Sequence, residues 1–420
     1  MRTAAKILIA GIAAAIPMLP PISGAATSQT ADSQVLNGQV QLGNVTASQS
    51  LDVTTVTDQT VATTTATGNA VTMAADSGSL DVQSSQSMQG SATATTQLTV
   101  EPGGYSGETA LTTAATGNTG EADDLGGAAL TGNLVQSTGP GDITASSVVD
   151  AAEGETGDLQ INTQAIANTQ GVAVDGGPAN VTVSQSSTAS AVANSDVTLG
   201  YTAADAEFGA SAVSNNLTAT GLDGGSQTLD ITQSMTGAMT QAAQFVAVGQ
   251  AQTSDNNATA SANNISVSND GGPLDVTASQ TNTGYVRGQA ESTAYSFGTA
   301  SATATGVGNS AIYGESGGEI TLNSSQFNSG AGVEAVSSSG GSTGYDLSST
   351  ATAMGNAVTG YACSACGGVM NITSSQSNSA DVSATAGIPY AGGAGSARSA
   401  ISTATAVGNT ATFYVSKPSN

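Results

Sequence analysis

The sequence predicts an all-β protein, an elongated β-solenoid built from tandem units of about 49 residues. Three observations predict it. An asparagine flanked by small residues recurs along the chain, and apolar and polar residues alternate between its copies. Glycine pairs interrupt this alternation at positions where turns are expected. A fixed period of this size indicates one supersecondary unit that is used many times. The recurring asparagines are Asn69, Asn118, Asn168, Asn215, Asn264, Asn309, Asn356 and Asn409, at spacings of 45 to 53 residues.

A second marker keeps the same period. An apolar residue stands four positions before the glutamine of a Ser-Gln pair, and the clear copies begin at Val45, Val82, Val181, Val276, Leu322 and Ile372. Because the solenoid stacks its coils, we expect the recurring asparagine and glutamine side chains to lie above one another as ladders that hold the register. This structural role is favoured over ligand binding.

The alternation of apolar and polar residues predicts which segments are β-strands. Leu274, Val276 and Ala278 fall on one face of an extended segment, and the polar residues between them fall on the other. Aromatic residues make up only 3%, which argues against the aromatic girdles of an outer-membrane barrel, and the absence of tryptophan argues against an immunoglobulin-like sandwich. A solenoid fits best, with each unit forming two coils of about 24 residues.

Four regions are predicted along the chain. Residues 1–26 read as a secretory signal peptide with an apolar run of 13 residues, cleaved near Ala25 and Ala26. Residues 27–175 form a less regular repeat region with an acidic insert over 99–160, residues 176–412 form the regular solenoid, and residues 413–420 form a tail. In an exported protein, Cys363 and Cys366 are expected to close a small disulfide, although a C-x-x-C pair also serves redox chemistry.

The amino-acid composition excludes several classes of function. The formal net charge is −25 with only five basic residues, so nucleic acid is excluded as a partner. Without histidine there is no imidazole base and no Ser-His-Asp arrangement, and we expect neither an enzyme nor a cofactor. The alternative for catalysis is a carboxylate pair that cleaves glycosides, Asp123 with Asp124 or Glu153 with Glu155. A calcium site in the acidic insert is a weaker hypothesis.

The aromatic side chains also follow the repeat. Tyr313, Tyr361 and Tyr414 each lie four or five residues after a recurring asparagine, and Met73 holds a comparable place early in the chain. We expect them to form a stacked stripe near a corner of the coil, where packing is a more common role for a repeated aromatic residue than binding to sugar.

The whole pattern resembles the holdfast attachment protein D family of stalked alphaproteobacteria. The resemblance rests on the secretory signal, the acidic Ser/Thr/Ala/Gly-rich body, T-A-T-G-N-A-V-T at 65–72 and L-Q-I-N-T-Q-A-I-A-N at 159–168. It implies an exported protein at the cell surface, on the outer membrane at a pole or stalk tip, that fastens an adhesive polysaccharide. It also implies a curli-like anchor subunit and an outer-membrane secretion lipoprotein as partners.

Other functions remain open from the residues. S-Q-T-N-T-G-Y-V at 279–286 and S-Q-S-N-S-A-D-V at 375–382 resemble curli repeats, which indicates a curli-like amyloid subunit or nucleator as the alternative function. Alternating threonines at Thr63, Thr65 and Thr67 are typical of ice-binding solenoids, but this run is not kept in every unit. The favoured function is a non-enzymatic anchor that binds an extracellular polysaccharide.

Overall fold

The computed structural model describes residues 33–202, 205–363, 368–389 and 397–416, and nearly all of them lie in strands. The nineteen strands are β1 Ser33–Gln41, β2 Val45–Ala75, β3 Leu80–Met88, β4 Ala92–Asp124, β5 Leu130–Thr138, β6 Ile143–Thr156, β7 Leu159–Asp175, β8 Ala179–Ser187, β9 Ala191–Thr202, β10 Asp205–Leu222, β11 Gln227–Met235, β12 Met239–Asp270, β13 Leu274–Asn282, β14 Tyr285–Ser316, β15 Glu319–Asn328, β16 Gly332–Cys363, β17 Val369–Asn378, β18 Val382–Gly387 and β19 Ser399–Ser416. The all-β prediction is confirmed.

Two parallel sheets contain all of these strands. Sheet A has eight strands in the order β1-β3-β5-β8-β11-β13-β15-β17. Sheet B has eleven strands, in which long strands such as β4 pair with β6 through their first part and with β7 through their second part. Each strand therefore stacks on its equivalent in the next repeat, which is the architecture of a β-solenoid.

One repeat makes one coil, so the prediction of two coils per repeat is wrong. Stacked residues lie one full repeat apart: Gln39 and Gln86 are separated by 47 residues, and Gln86 and Gln136 by 50. The residue count of a coil is large because its long segment in sheet B, such as the 33 residues of β4, runs out along one side and returns along the other. The described chain contains eight such coils, one for each strand of sheet A.

The coil is flat and wide. In the second coil, Gln86 of β3 donates to the carbonyl oxygen of Thr119 at 2.9 Å, so sheet A faces the second part of β4. The first part of β4 faces the second part of its neighbouring strand, because Thr96 Oγ1 donates to Thr64 Oγ1 at 2.8 Å. Two layers of backbone therefore enclose one thin interior.

These dimensions correct the predicted elongated shape. Seven spacings between eight strands, at about 4.8 Å each, give a stack of about 34 Å. The 17 residues of β7, at about 3.3 Å per residue, span about 56 Å. A single chain is thus wider across its coil than it is long along its stacking axis. The reason is that all residues of one repeat form a single wide coil and not two smaller ones.

Small and branched residues fill the interior in separate zones. Beneath sheet A the core contains Leu80, Val82, Leu130, Val181, Ile231, Val276 and Leu322. Next to it lies a zone made mostly of alanine, including Ala94, Ala115, Ala165, Ala212, Ala260 and Ala302. Larger residues return at the far edge of the first five coils, among them Leu98, Leu111, Ile161 and Phe208. Alanine lets the two layers approach closely, which explains why so thin a core excludes water.

The glycine pairs turn the chain between coils, and the two glycines of a pair have different roles. Gly176 has φ of +75°, a backbone conformation that residues with a Cβ rarely adopt. At Gly177 a Cβ atom would lie 1.7 Å from the carbonyl oxygen of Ala128 in the preceding coil. The first glycine supplies the turn, and the second allows the coils to stack.

Several expected boundaries differ from the structure. The first coil is complete from β1 onward, and its equivalent of the second marker begins at Val35 rather than at Val45. Residues 99–160 lie within coils and enlarge only a corner, where the register shifts between Thr99 and Tyr105. Strand β19 continues to Ser416, inside the predicted tail. The signal segment, with Ala25 and Ala26, lies outside the described residues.

Candidate functional site

The recurring asparagines form a continuous hydrogen-bonded column through the interior. Asn69 Nδ2 donates to Asn118 Oδ1 at 2.7 Å, Asn118 donates to Asn168 at 2.8 Å, and the chain of amides reaches Asn409 through Asn356 at 2.7 Å. The column consists of Asn69, Asn118, Asn168, Asn215, Asn263, Asn309, Asn356 and Asn409. Each amide from Asn69 to Asn356 also donates to a strand carbonyl of sheet A, which joins the two layers.

One member of the column lies one position away from the predicted asparagine. Asn263, not Asn264, receives the hydrogen bond from Asn215 at 2.8 Å and donates to Asn309. Successive residues of a strand point to opposite faces, so only one of the two adjacent asparagines can enter the interior. Asn264 lies on the outside and donates to Asn216 Oδ1 at 2.8 Å.

The glycine that usually precedes the asparagine is explained by a kink. The strict alternation of buried and exposed residues slips at this point, and Gly117 and Asn118 are both buried. A Cβ atom on Gly117 would lie 2.5 Å from the carbonyl oxygen of Ala167, and one on Gly355 would lie 2.5 Å from the oxygen of Gly408. A small residue is therefore needed immediately before each asparagine of the column.

A second column of amides runs through sheet A. Gln86 Nε2 donates to Gln39 Oε1 at 2.9 Å, and each later glutamine donates to the one before it. Its members are Gln39, Gln86, Gln136, Gln185, Gln233, Gln280, Gln326 and Gln376. The Ser-Gln marker of the sequence contains most of them, but Gln39 lacks the preceding serine and is found only through its register with Gln86.

Of the aromatic residues that follow the repeat, some lie on the outside of the solenoid and one lies in its core. Tyr361 and Tyr414 stack on the outside, with ring centroids 5.9 Å apart. Tyr313 is buried in the core, and burial raises the pKa of its phenol above the ordinary value. It occupies the same interior column as Met73, so the three tyrosines do not form one stripe.

The outward side of sheet A, which we call the outer face, is mainly polar, and its non-polar members are Leu36, Gly38, Val40, Val135 and Phe327. Because the strands are parallel and in register, its side chains form four columns with one residue from each coil. The hydroxyl-bearing members are Ser85, Ser87, Thr131, Ser137, Thr182, Ser184, Ser186, Thr228, Thr232, Ser234, Thr277, Ser279, Thr281, Thr321, Ser325, Thr373, Ser375 and Ser377. The amide-bearing members are Gln34, Gln83, Asn133, Asn180, Asn323 and Asn371, and the carboxylates are Asp81, Asp230 and Asp275.

The outer face can donate and accept hydrogen bonds at a fixed spacing. Strand geometry sets about 4.8 Å between coils and about 7 Å between alternate residues of one strand. Few of these groups are used internally; one cluster joins Gln34 and Thr131 to the carboxylate of Asp81, at 3.0 and 3.4 Å. Such a surface suits an extended polar polymer better than a small molecule, which favours an enclosed pocket.

The two carboxylate pairs that the sequence offers for catalysis lie in different environments. Asp123 and Asp124 are successive residues of β4 and point to opposite faces, with Asp124 buried and accepting from the amide of Gly126 at 3.0 Å. Burial, reinforced by the charge of Glu121, raises the pKa of Asp123 to about 6. Glu153 and Glu155 are exposed at a corner. In the described ranges, no three acidic, histidine or cysteine side chains are grouped to hold a metal ion.

The raised pKa of Asp123 predicts a pH-dependent stability. Because the folded-state pKa of about 6 exceeds the ordinary value of 3.8, ionisation opposes folding as the pH rises between these values. We expect Asp123→Asn to raise the melting temperature by about 1–2 °C at pH 7.5 and to have no effect near pH 3.5. Thermal melts of this variant beside Asp275→Asn, on the outer face, test the prediction; equal shifts at the two pH values would refute it.

Cys363 ends β16 and is disulfide-bonded. Cys366 lies outside the described residues.

A family model, holdfast attachment protein D, matches residues 54–332, which run from β2 to the start of β16. No curated protein and no solved structure matches the chain. Across the described residues, the structure contains no helix of the length and apolarity that a membrane crossing requires. Since the family model covers more than half of the sequence, the chain belongs to the holdfast attachment protein D family.

Proposed function

We propose that this protein is a non-enzymatic anchor at the cell surface that fastens an adhesive holdfast polysaccharide to the outer membrane. The observation that carries the proposal is the outer face of sheet A, where hydroxyl, amide and carboxylate groups stack in register from the second coil to the eighth. A repeating polymer meets equivalent groups at each step along such a surface. Many weak contacts then add to a strong attachment without any single deep site.

The rigidity of the array supports this function. The asparagine and glutamine columns fix the register of every coil from inside, so the outer face does not have to be ordered when a polymer binds. Binding to a preorganised surface avoids the entropic cost of ordering side chains and loops. The net charge of −25 adds attraction for a polymer that carries amines, and salt would weaken this part of the affinity.

Removing three neighbouring groups of the outer face tests the proposal. We expect the triple variant Thr182→Ala, Asp230→Ala and Thr277→Ala, whose residues stack in adjacent coils, to bind purified holdfast polysaccharide about tenfold or more weakly. Cells that carry it should shed adhesive material into the medium. Binding is measured by retention on immobilised polysaccharide, and shedding by staining cells and medium.

A matched control removes the same chemical groups from the opposite layer. Asp255, Thr259 and Thr305 lie on the outward side of sheet B, so replacing all three with alanine deletes one carboxylate and two hydroxyls. We expect this variant to bind like the unmodified protein. Equal losses in the two variants would mean that overall charge, and not the outer face, holds the polymer.

A further inference from the structure

Among the described strands, the first and the last coil each pair on one side only. Strands β1 and β2 pair only with β3 and β4, and strands β15 and β16 supply the pairing of β17, β18 and β19. In the parts of the chain that the structure describes, no element covers the outer edge of the first or the last coil. Each end therefore presents a row of backbone donors and acceptors, which is a template for another strand.

The glutamine column has a direction, so its two ends differ. Within the column, Nε2 of each glutamine donates once to the preceding glutamine and once to a backbone carbonyl, as Gln136 does to Gln86 and to Thr169. Gln39, the first member, donates to the carbonyl of Ala70 and retains one amide hydrogen. Gln376, the last member, donates twice, and no donor among the described residues reaches its Oε1. The first coil thus offers a donor and the last coil an acceptor.

The asparagine column runs in the opposite direction. Here Nδ2 of each asparagine donates to the following one, as Asn356 does to Asn409. At the last coil Asn409 therefore keeps its amide hydrogens, which have no acceptor among the described residues. At the first coil Asn69 uses its amide hydrogens on Ser87 and Asn118, and its Oδ1 receives no described donor. The last coil thus offers a donor and the first coil an acceptor.

We propose that a second copy of this chain stacks its first coil on the last coil of the first copy. In this arrangement Gln39 of the incoming copy donates to Gln376, while Asn409 donates to Asn69 of the incoming copy. Both columns then continue across the junction without a change of direction. Stacking of two like ends would place donor against donor in one column and acceptor against acceptor in the other, which is unfavourable.

The apolar columns continue across the same junction. The register that pairs β1 with β3 places Val35 in the interior column that ends at Ile372. Likewise Val45 begins the column that ends at Val382. Val35 and Ile372 are only partly buried in the single chain, and stacking would bury both. The favourable burial of apolar surface thus adds to the new backbone hydrogen bonds.

Such a contact joins two different surfaces and does not close, so it extends into a filament with distinct ends. Each copy would add eight strand spacings, about 38 Å, to the stack. Because the copies carry like charge, we expect added salt to strengthen the association.

Two substitutions that each block one end test the proposal. In Val35→Lys a charged side chain occupies the interior column at the first coil, and in Ile372→Lys it does so at the last coil. We expect the exported chain to sediment as a concentration-dependent series of multimers, and each variant alone to sediment as a monomer. The matched controls, Leu36→Lys and Thr373→Lys, change the outward neighbour on the same strand and should assemble like the unmodified chain.

Mixing the two blocked variants distinguishes head-to-tail stacking from any symmetric pairing. Each variant retains the end that the other has lost, so an equimolar mixture should form a dimer and grow no further. The appearance of this dimer also shows that both variants are folded, and circular dichroism checks each alone. An unmodified chain that stays monomeric, a blocked variant that dimerises by itself, or a mixture of folded variants that stays monomeric would overturn the proposal.

Discussion

Asn168→Ala is expected to lower the free energy of unfolding by about 3–5 kcal/mol. The side chain of Asn168 is fully buried and takes part in four hydrogen bonds. It accepts from Asn118 at 2.8 Å and from Thr138 at 2.6 Å, and it donates to Ser186 at 2.9 Å and to Asn215 at 2.8 Å. Alanine would leave these partners buried without a replacement, which costs more than the net value of the bonds themselves.

The same strand offers a matched control for this substitution. Asn162 lies on β7 with Asn168 but points outward and is exposed. We expect Asn162→Ala to change stability by less than about 0.5 kcal/mol, as surface substitutions usually do. Urea unfolding followed by circular dichroism compares the two variants. If their midpoints coincide, the interior amide column contributes nothing to holding the coils together.

Removal of one whole coil is expected to leave a folded protein. Deleting residues 233–279 joins Thr232 to Gln280 and removes 47 residues, which is the spacing between Gln233 and Gln280 in the glutamine column. The joined strand keeps its register with β8 and β15, because stacked repeats contact only their neighbours. We expect the shortened chain to keep its β-sheet circular dichroism spectrum and a cooperative thermal transition.

Removal of half a coil is expected to have the opposite effect. Deleting residues 233–256, about 24 residues, joins the middle of β11 to the second part of β12 and leaves the same coil without the first part of β12. The interior of that coil would be open to water, and we expect the cooperative transition to be lost. If the chain tolerated this deletion as well as the deletion of 47 residues, the assignment of one coil to one repeat would be incorrect.

The sequence predicts most members of the two amide columns, but not all of them. The period and the alternation were visible because equivalent residues of a solenoid meet the same neighbours, so their chemistry repeats. The repeat period predicts Asn264 where the structure places Asn263, because a period with a spread of several residues cannot distinguish adjacent positions. The strand resolves them, since only one of two successive side chains faces the interior. The Ser-Gln pattern does not predict Gln39, because Gly38 and not a serine precedes it.

The candidate site was harder to find from sequence. Ser, Thr and Asn are common throughout the chain, and nothing in their order distinguishes the outer face of sheet A from the outward side of sheet B. The face becomes evident only when Thr182, Asp230 and Thr277, which are far apart in sequence, are seen in one column. Stacking of coils brings them together, and this is a property of the tertiary structure.

The sequence by itself determined that this protein is a stack of equivalent β units, in which apolar and polar residues alternate and the recurring asparagines and glutamines form ladders. It did so because strand alternation and the repeat period are local properties of the chain. Only the tertiary structure decided that one repeat closes one wide coil, since alternation looks the same whether an extended segment runs straight or folds back. The hydrogen bonds between Asn118 and Asn168, one repeat apart, decide that question, because they can form only if a full repeat separates neighbouring coils.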